Sequence, residues 1–351
     1  MSTIKFHEAI CNATAQCMEE CPEVYIIGLG VPDPTNIFGT TKGLLEKFGP
    51  QRVMDMPCAE NGMTGIALGA AINGLRPILT HQRVDFALLS IEQIVNQMAK
   101  WHYMFGGQVS VPLVIRMIIG KGWGQGPQHS QSLHSWFSHI PGLKVVLPST
   151  PYIAKGTLIS AIRDNNPVLF LEHRWLHNIS GDVPNNMYEV PLDKSVTLKE
   201  GKDLTIVSVS HMTIETLKAE RILSSEGINV EVIDLVSVNP IDRVSILKSV
   251  SKTKRLLIAD IGHLTTGISA ELIAMCAENK SINFKCKPAR IGLPEAPTPT
   301  SPKLASHYYP RHIHIISKVK EMLDLPYEDI DTMPQPSEEL DKPDAEFTGP
   351  F

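Results

Sequence analysis

The chain has 351 residues, of which 43% are hydrophobic and 20% are charged, and its formal net charge at pH 7 is −5. This length and composition allow a sizeable core, which excludes a disordered or fibrous protein and predicts two domains. No long basic run occurs, so nucleic acid is not an expected partner. No signal-peptide pattern and no run of about 20 apolar residues occurs either, which predicts a cytoplasmic protein without a membrane span.

The first half of the chain alternates short apolar runs with segments of helical spacing, which predicts an α/β fold with mostly parallel strands. The helix predicted at 151–163 has a favourable N-terminus, because Ser149 or Thr150 can cap it and Pro151 suits the first helical position. The predicted strands are 24–27, 77–80, 111–119, 145–147 and 168–172. The predicted helices are 62–73, 90–104, 130–138 and 151–163.

A second α/β unit follows a polar segment that predicts a linker. We expect a first domain at 1–185, the linker at 186–203 and a second domain at 204–325. The predicted strands of the second domain are 204–210, 228–234, 255–260 and 284–291. Its predicted helices are 213–225, 243–250, 267–278 and 312–323.

An acidic, proline-rich tail is expected at residues 326–351. The last 28 positions of the chain contain nine acidic residues, five prolines and one lysine. Such a composition cannot bury enough apolar surface to fold alone, which favours a solvated tail. The alternative is an arm that orders against another subunit, with Tyr327, Phe347 and Phe351 as anchors.

Glu60 stands at the start of a predicted helix that is rich in small residues. Free backbone N–H groups and the helix dipole stabilise a carboxylate at such a position. On this pattern alone, a helix cap is better supported than a catalytic group. The glycines and alanines that follow Glu60 nevertheless allow another backbone or a flat ligand to approach closely.

A glycine-rich loop at residues 120–131 follows a strongly apolar strand and precedes a predicted helix. Open α/β sheets bind their ligands at such positions. The loop has neither a Walker ending nor the G-x-G-x-x-G spacing, so a nucleotide is not indicated. His129 in this loop is suited to act as acid, base or polar donor near neutral pH, although a purely structural role remains equally open.

Other histidines and acids give weaker indications. His129, His134 and His139 are five residues apart, so on a helix each would be turned by about 140° from the last, which argues against a three-histidine metal site. His211, Asp260 and His263 lie at or after predicted strand ends, where we expect structural and subunit contacts. A serine hydrolase is not indicated, because the G-x-S-x-G elbow is missing.

Eight short segments, spread in order over nearly the whole chain, carry a family resemblance. They are MP at 56–57, ENGMTG at 60–65, NQMAK at 96–100, YMFGG at 103–107, QHSQ at 128–131, PGLKVV at 141–146, DNNP at 164–167 and GINVEVIDL at 227–235. In sequence and spacing they resemble the beta subunit of thiamine diphosphate-dependent 2-oxo acid dehydrogenases of the pyruvate dehydrogenase type.

The resemblance implies a transketolase-like pyrimidine-binding domain, with a parallel sheet and helices on both faces, followed by a transketolase C-terminal α/β domain. It also implies an α2β2 heterotetramer whose thiamine diphosphate lies between subunits, with a lipoyl-bearing acyltransferase as acceptor. In this family a G-D-G motif and a later Asn of the alpha subunit hold the diphosphate and Mg²⁺. This sequence contains no G-D-G, so the chain is expected to supply the pyrimidine half and to be inactive alone.

Roles for individual residues follow from the resemblance. Glu60 matches the carboxylate that hydrogen-bonds the aminopyrimidine ring, and Phe86 matches the aromatic residue that packs against it. Met63 is placed with them among the cofactor contacts. His129 matches the loop histidine that assists acyl transfer to the lipoyl arm as a proton donor.

Many members of the family also bind K⁺ through main-chain carbonyl groups. Oxygen ligands of this kind suit a hard cation. The matching positions in this sequence are Leu113, Ala161, Ile162, Asp164 and Asn166.

Two segments depart from the family pattern and bear on the substrate. Residues 81–89, HQRVDFALL, replace a more apolar and aromatic stretch, and Leu89 stands where Gln is frequent. The run beginning at Asp260 replaces one that usually begins with Glu. His81 and Arg83 near the pocket would favour an acidic or polar 2-oxo acid or a different acceptor. A salt-bridged surface turn is the alternative interpretation of the same residues.

Two further functions are consistent with the pattern. A split transketolase or acyloin-forming carboligase subunit would share the pyrimidine domain but use an aldehyde acceptor. A non-catalytic scaffold would bind the acyltransferase core through the C-terminal domain and tail. The presence of Glu60 argues against the scaffold.

Overall fold

The computed structural model describes residues 1–122, 124–327, 342–343 and 347. Two α/β units follow one another along the chain, each built on its own sheet, and a small two-stranded ribbon joins the N-terminus to the end of the first unit. The predicted fold class is confirmed. Among the described residues, no helix has the length and apolar character needed to span a membrane.

The strands belong to three sheets. The first sheet has seven strands in the order β12-β6-β7-β5-β4-β2-β3, the second has five in the order β14-β13-β10-β11-β9, and β1 pairs with β8. The strands of the first unit are β1 (Ser2–Lys5), β2 (Val24–Gly28), β3 (Val53–Met54), β4 (Arg76–His81), β5 (Val114–Ile119), β6 (Lys144–Val146), β7 (Val168–His173) and β8 (Ser180–Val183). The remaining strands are β9 (Val196–Lys199), β10 (Leu204–Ser208), β11 (Val230–Asp234), β12 (Ser237–Asn239), β13 (Leu256–His263) and β14 (Ala289–Leu293).

The α-helices cover both faces of the two sheets. In the first unit they are α1 (Phe6–Glu20), α2 (Asn36–Gly39), α3 (Leu44–Phe48), α4 (Glu60–Ile72), α5 (Val84–Ala87), α6 (Trp101–Met104), α7 (His134–Ser138) and α8 (Pro151–Arg163). In the second they are α9 (His211–Ser225), α10 (Arg243–Thr253), α11 (Ile268–Ala277), α12 (Pro302–Ala305) and α13 (His312–Met322). The predicted cap of α8 is confirmed, because Thr150 Oγ1 accepts a hydrogen bond from the Ile153 N–H at 3.2 Å.

The two units share strands across the predicted boundary. Strand β12 comes after β11 in the chain, yet it pairs antiparallel with β6 at the edge of the first sheet. Strand β9 lies inside the segment predicted as a linker, 186–203, and pairs antiparallel with β11 in the second sheet. The second sheet therefore begins before the predicted end of the linker, and the first sheet is completed by the second unit.

Two predicted helices of the first unit are wrong in part. The segment 90–104 forms a 3-10 turn (Leu88–Ser90), a π-helix (Glu92–Met98) and the short α6. The helix is interrupted near Ala99. There the turn at 141–142 packs so closely that a Cβ on Gly142 would lie 1.9 Å from the carbonyl oxygen of Ala99. The segment 130–138 is helical only from His134, because the Gln131 carbonyl accepts a hydrogen bond from the Gly120 N–H at 3.1 Å.

Part of the acidic tail folds back on the chain itself. Phe347 is buried beside Trp175, and the guanidinium of Arg174 lies 5.1 Å from its ring centroid. The Arg311 guanidinium donates to the main-chain carbonyls of Lys342 and Pro343. Phe347 is thus an anchor, but on its own chain, while the predicted anchor Phe351 lies outside the described residues.

A buried ion pair joins the two central strands of the first sheet. Arg116 of β5 donates to Glu172 of β7 through Nε (2.6 Å) and Nη2 (3.0 Å), and both side chains are fully buried. Burial alone would raise the pKa of Glu172, but Arg116 and the nearby His177 outweigh it and lower the pKa to about 2. A buried carboxylate is kept charged here because a two-point guanidinium contact compensates it.

Arg116→Met should destabilise the chain by about 3–5 kcal/mol, because it leaves Glu172 buried without its cation. The pair stabilises the fold fully above the ordinary carboxyl pKa of 4.5, and this contribution is lost as the pH falls toward 2. The measurement is urea unfolding at several pH values. The difference in free energy of unfolding between the wild type and Arg116→Met should shrink below pH 4.5.

The matched control is Arg243→Met. Arg243 pairs with Glu271 at 3.0 Å, but both side chains are about half exposed. Its loss should cost about 0–1 kcal/mol. Equal losses of stability in Arg116→Met and Arg243→Met would contradict the conclusion that burial makes the Arg116–Glu172 pair important.

Candidate active site

Four neighbouring parallel strands of the first sheet end at the same edge. Strands β2, β4, β5 and β7 finish at Gly28, His81, Ile119 and His173. In open α/β sheets this carboxyl edge is where ligands bind. The loops that carry the predicted site residues Phe86 and His129 start here, so the topology brings together residues that are far apart in sequence.

Glu60 is the first residue of α4, and its side chain is half-buried. One turn later, the buried Thr64 hydroxyl lies 3.2 Å from His81 Nε2 and 3.0 Å from Ser90 Oγ. Burial lowers the pKa of His81 to about 4, so this histidine is neutral at physiological pH. The hydrogen bonds fix the start of α4, and with it Glu60, against the end of β4.

The outer face of α4 is open and lined by small and apolar groups. A Cβ added at Gly62 or Gly69 would meet nothing within 4 Å, and Ile66 between them is 59% exposed. Met63 is half-buried and packs against the core. This face, about half a turn around the helix from Glu60, leaves room for a second protein surface.

Phe86 and His129 are brought into contact. Phe86 lies on α5, His129 ends a short 3-10 turn (Pro127–His129), and their ring centroids are 5.2 Å apart with an interplanar angle of 79°. Phe86 is 38% exposed, and α5 packs against α4. The structure therefore places Phe86, His129 and the Glu60 end of α4 along one side of the sheet edge.

His81 and Arg83 do not fit either interpretation drawn from the sequence. Arg83 is only 3% exposed and donates to the Gly120 carbonyl and to Gln125 Oε1, both in the glycine loop. It is neither a surface turn residue nor an open substrate contact. His81 is buried and neutral, so it adds no charge to recognise an acidic substrate. Sequence reasoning failed here because burial decides what a charged residue contacts.

The second unit contributes to this edge through contacts that the sequence did not indicate in detail. His134 Nε2 lies 2.9 Å from Asp260 Oδ1, with both side chains fully buried. His211 stacks on His173 at 5.1 Å, and burial lowers the pKa of His211 to about 3. Asp260 and His211 thus make structural contacts between the two units of this chain, whereas His263 bonds the nearby Pro294 carbonyl. The predicted subunit contacts stay a prediction.

The residues proposed to hold K⁺ lie at the opposite edge of the sheet. Leu113 directly precedes β5, and Asp164 and Asn166 lie between α8 and β7. Arg76, which sequence reasoning missed, donates from Nη1 to the carbonyls of Ile162 (2.8 Å) and Asp164 (3.1 Å). These two oxygens therefore converge on the Arg76 guanidinium, which already places a positive charge at this edge.

The geometry at the carboxyl edge fits one half of a thiamine diphosphate site. This edge carries a half-buried carboxylate at the start of α4, and a partly exposed phenyl ring in contact with a histidine. A carboxylate can hold a protonated ring nitrogen, and an aromatic face can pack against a pyrimidine ring. The diphosphate and its metal need ligands that the sequence motifs of this chain do not supply.

Comparison with known proteins agrees with this architecture. Residues 2–178 match the family model "Transketolase, pyrimidine binding domain", and residues 193–315 match "Transketolase, C-terminal domain". The solved structure "Split gene transketolase, inactive beta4 tetramer" has a TM-score of 0.76 and 23% identity, and the alignment covers 92% of this chain and 99% of that one. At this identity the likeness concerns the fold.

Curated relatives are more similar in sequence. The pyruvate dehydrogenase E1 component subunit beta of Gracilaria tenuistipitata var. liui is 41% identical over 92% of this chain and 100% of its own length. The acetoin:2,6-dichlorophenolindophenol oxidoreductase subunit beta of Bacillus subtilis (strain 168) is 41% identical over 83% of this chain and 85% of its own. These relatives do not favour the split transketolase, carboligase or scaffold alternatives.

The two family models, the relatives and the half-site at the carboxyl edge lead to one assignment. Both domains follow in the expected order, and together they span most of the chain. The chain therefore belongs to the family of beta subunits of thiamine diphosphate-dependent 2-oxo acid dehydrogenases.

Proposed function

We propose that this chain, together with an alpha subunit, decarboxylates a 2-oxo acid and transfers the acyl group to a lipoyl acceptor. The observation that carries the proposal is the Phe86–His129 contact on α5, which packs against α4, the helix that begins with Glu60. Thiamine diphosphate would supply the carbon nucleophile and the electron sink that decarboxylation of a 2-oxo acid needs.

Each residue of this chain has a distinct task in the proposal. Glu60 donates or accepts a proton at the pyrimidine ring nitrogen, and the Thr64 hydrogen bonds keep its helix in place. Phe86 packs against the ring and excludes water from it. His129 would donate a proton to one sulfur of the lipoyl disulfide as the S–S bond is reduced and the other sulfur takes the acyl group.

The alpha subunit completes the site in this proposal. Mg²⁺ and the diphosphate bind to its G-D-G motif, because this sequence has none. Apolar side chains around the half-site support a partner that covers them, since large exposed apolar groups mark interaction surfaces. They include Ile66 (59% exposed), Leu89 (65%) and Tyr103 (88%).

We also propose a K⁺ site at the amino edge of the first sheet, with the carbonyl oxygens of Leu113, Ala161, Ile162, Asp164 and Asn166 as ligands. The carbonyls of Ile162 and Asp164 converge on Arg76 Nη1, and each retains a second lone pair for a cation. Lys144 pairs with the Asp164 carboxylate and lowers its pKa against the effect of burial. The site is far from the proposed chemistry, so its effect is on stability.

Glu60→Gln should leave the αβ assembly intact but lower 2-oxo acid turnover by about a hundredfold or more, because the amide cannot exchange a proton with the ring. Turnover is measured on the reconstituted assembly with saturating thiamine diphosphate and Mg²⁺. The control is Glu46→Gln, which removes an exposed first-turn carboxylate from α3. Near-normal turnover of Glu60→Gln would refute the assignment.

His129→Ala should slow acyl transfer to a lipoyl domain about tenfold or more, whereas decarboxylation coupled to a dye oxidant should change little, because the proton donor acts in the transfer step. The ratio of the two rates on one preparation is the measurement. His139→Ala, an exposed histidine ten residues away, serves as control. Equal losses in both assays would count against the role of His129.

K⁺ should raise the thermal unfolding midpoint of the protein by a few degrees relative to Na⁺ at the same ionic strength, because a ligand that binds only the folded state stabilises it. The measurement is differential scanning calorimetry in KCl, NaCl and choline chloride. Equal midpoints in all three salts would remove the K⁺ proposal without affecting the assignments of Glu60 and His129.

A further inference from the structure

The short helix α5 is bonded to both ends of the glycine loop, residues 120–131. At the start of the loop, the Arg83 guanidinium donates to the Gly120 carbonyl and to Gln125 Oε1. At its end, Asp85 Oδ1 accepts hydrogen bonds from Gln131 Nε2 (2.9 Å) and from the Gln131 N–H (3.4 Å). Two side chains that are two residues apart thus hold a loop of twelve residues.

Gln125 ties the first part of the loop together. Its side-chain oxygen accepts hydrogen bonds both from Arg83 and, at 2.9 Å, from the Gly122 N–H. Gly120 has a φ of +72°, and a Cβ at this position would lie 2.3 Å from His173 Nε2. The loop therefore turns closely over the end of β7, and the guanidinium contact depends on this close approach.

The Arg83 guanidinium is buried where it contacts the glycine loop. Arg83 is almost completely buried, and burial lowers its pKa to about 10, which still leaves it charged at neutral pH. Its Nε lies 3.8 Å from Asp85 Oδ2. Because the charge lies in a low-dielectric environment, its hydrogen bonds to the loop are worth more than they would be at the surface.

The second unit holds the loop from the other side. Lys121 Nζ donates to the Pro299 carbonyl at 3.3 Å, and a Cβ on Gly126 would lie 2.5 Å from Thr300 Oγ1. Without the contacts of Arg83 and Asp85, the loop would still be held at the proline-rich turn by these two contacts.

We infer that Arg83 and Asp85 are positioning residues that fix His129 against Phe86 for the acyl-transfer step. The inference rests on the proposed role of His129. Phe86 is the residue directly after Asp85 on α5, and its ring contacts His129 at 5.2 Å. The N-cap and the first turn of α5 therefore supply the aromatic contact and the two groups that hold the loop, so the position of His129 is set relative to Phe86.

The central test is Arg83→Gln in the reconstituted αβ assembly. The ratio of lipoyl acyl transfer to dye-coupled decarboxylation should fall about tenfold, because a displacement of about 1 Å is enough to impair a reaction step. Amide hydrogen exchange of the loop peptides should become faster in the same protein. Arg83→Lys retains the charge and one donor, and should restore part of the ratio.

A second variant avoids dependence on one substitution. Asp85→Asn keeps an oxygen that accepts from Gln131 but removes the negative charge beside Arg83. Its ratio should lie between those of the wild type and Asp85→Ala. If Arg83→Gln fails to fold, the comparison of Asp85→Asn with Asp85→Ala still tests whether the hydrogen bonds to the loop affect acyl transfer.

Arg52→Gln is the matched control. Arg52 is partly buried and, like Arg83, donates to main-chain carbonyls, here those of Met18, Cys21 and Val24, at the opposite edge of the first sheet. Its loss should reduce stability without changing the rate ratio or the exchange of the glycine loop. A change in the ratio equal to that of Arg83→Gln would mean a general loss of stability and would overturn the inference.

The results separate this inference from the proposed function. If His129→Ala lowers the ratio but Arg83→Gln does not, the positioning role is wrong and the role of His129 stands. If His129→Ala leaves the ratio unchanged, the proposed role of His129 is wrong. The inference that Arg83 and Asp85 position it for acyl transfer is then wrong as well. Hydrogen exchange would then still show whether Arg83 holds the loop.

Discussion

Parallel pairing of β2, β4, β5 and β7 is the constraint on which the site depends. Because all four strands run in the same direction, the residues after each strand emerge at one edge, and Phe86, His129 and the start of α4 meet there. The buried Arg116–Glu172 contact joins β5 to β7 inside this sheet. The opposite edge collects the carbonyls around Arg76, so the proposed site and these structural contacts lie at different ends of the strands.

Buried charges in this protein hold loops and units in place. Arg83 and Asp85 bind the glycine loop, His134 and Asp260 join the two units, and Arg311 binds the returning tail. In each case a charged or polar group is removed from water and hydrogen-bonded to specific partners, and its burial is costly unless that geometry is kept. The edge of the first sheet is therefore defined by hydrogen bonds as much as by apolar packing.

Much of the fold could be predicted, because apolar periodicity reports directly on strands and helices in contact with a core. Strand β7 and helix α8 came out close to their predicted bounds. The helix at 90–104 and the linker strand β9 did not, because a π-helix and an edge strand of a second sheet depend on what packs against them. Arg83 could be identified as unusual, but its partners lie about 40 residues away and only the folded chain brings them together.

The sequence by itself determined the α/β class, the order of the two domains and the family, since these follow from local patterns and from motifs such as ENGMTG and QHSQ. It also indicated the missing half of the site, because the absence of G-D-G is a property of the sequence. Only the tertiary structure decided that His81 is neutral and that Arg83 holds a loop instead of facing a substrate. Burial and distant partners set the behaviour of a charged side chain, and neither is encoded in its neighbours along the chain.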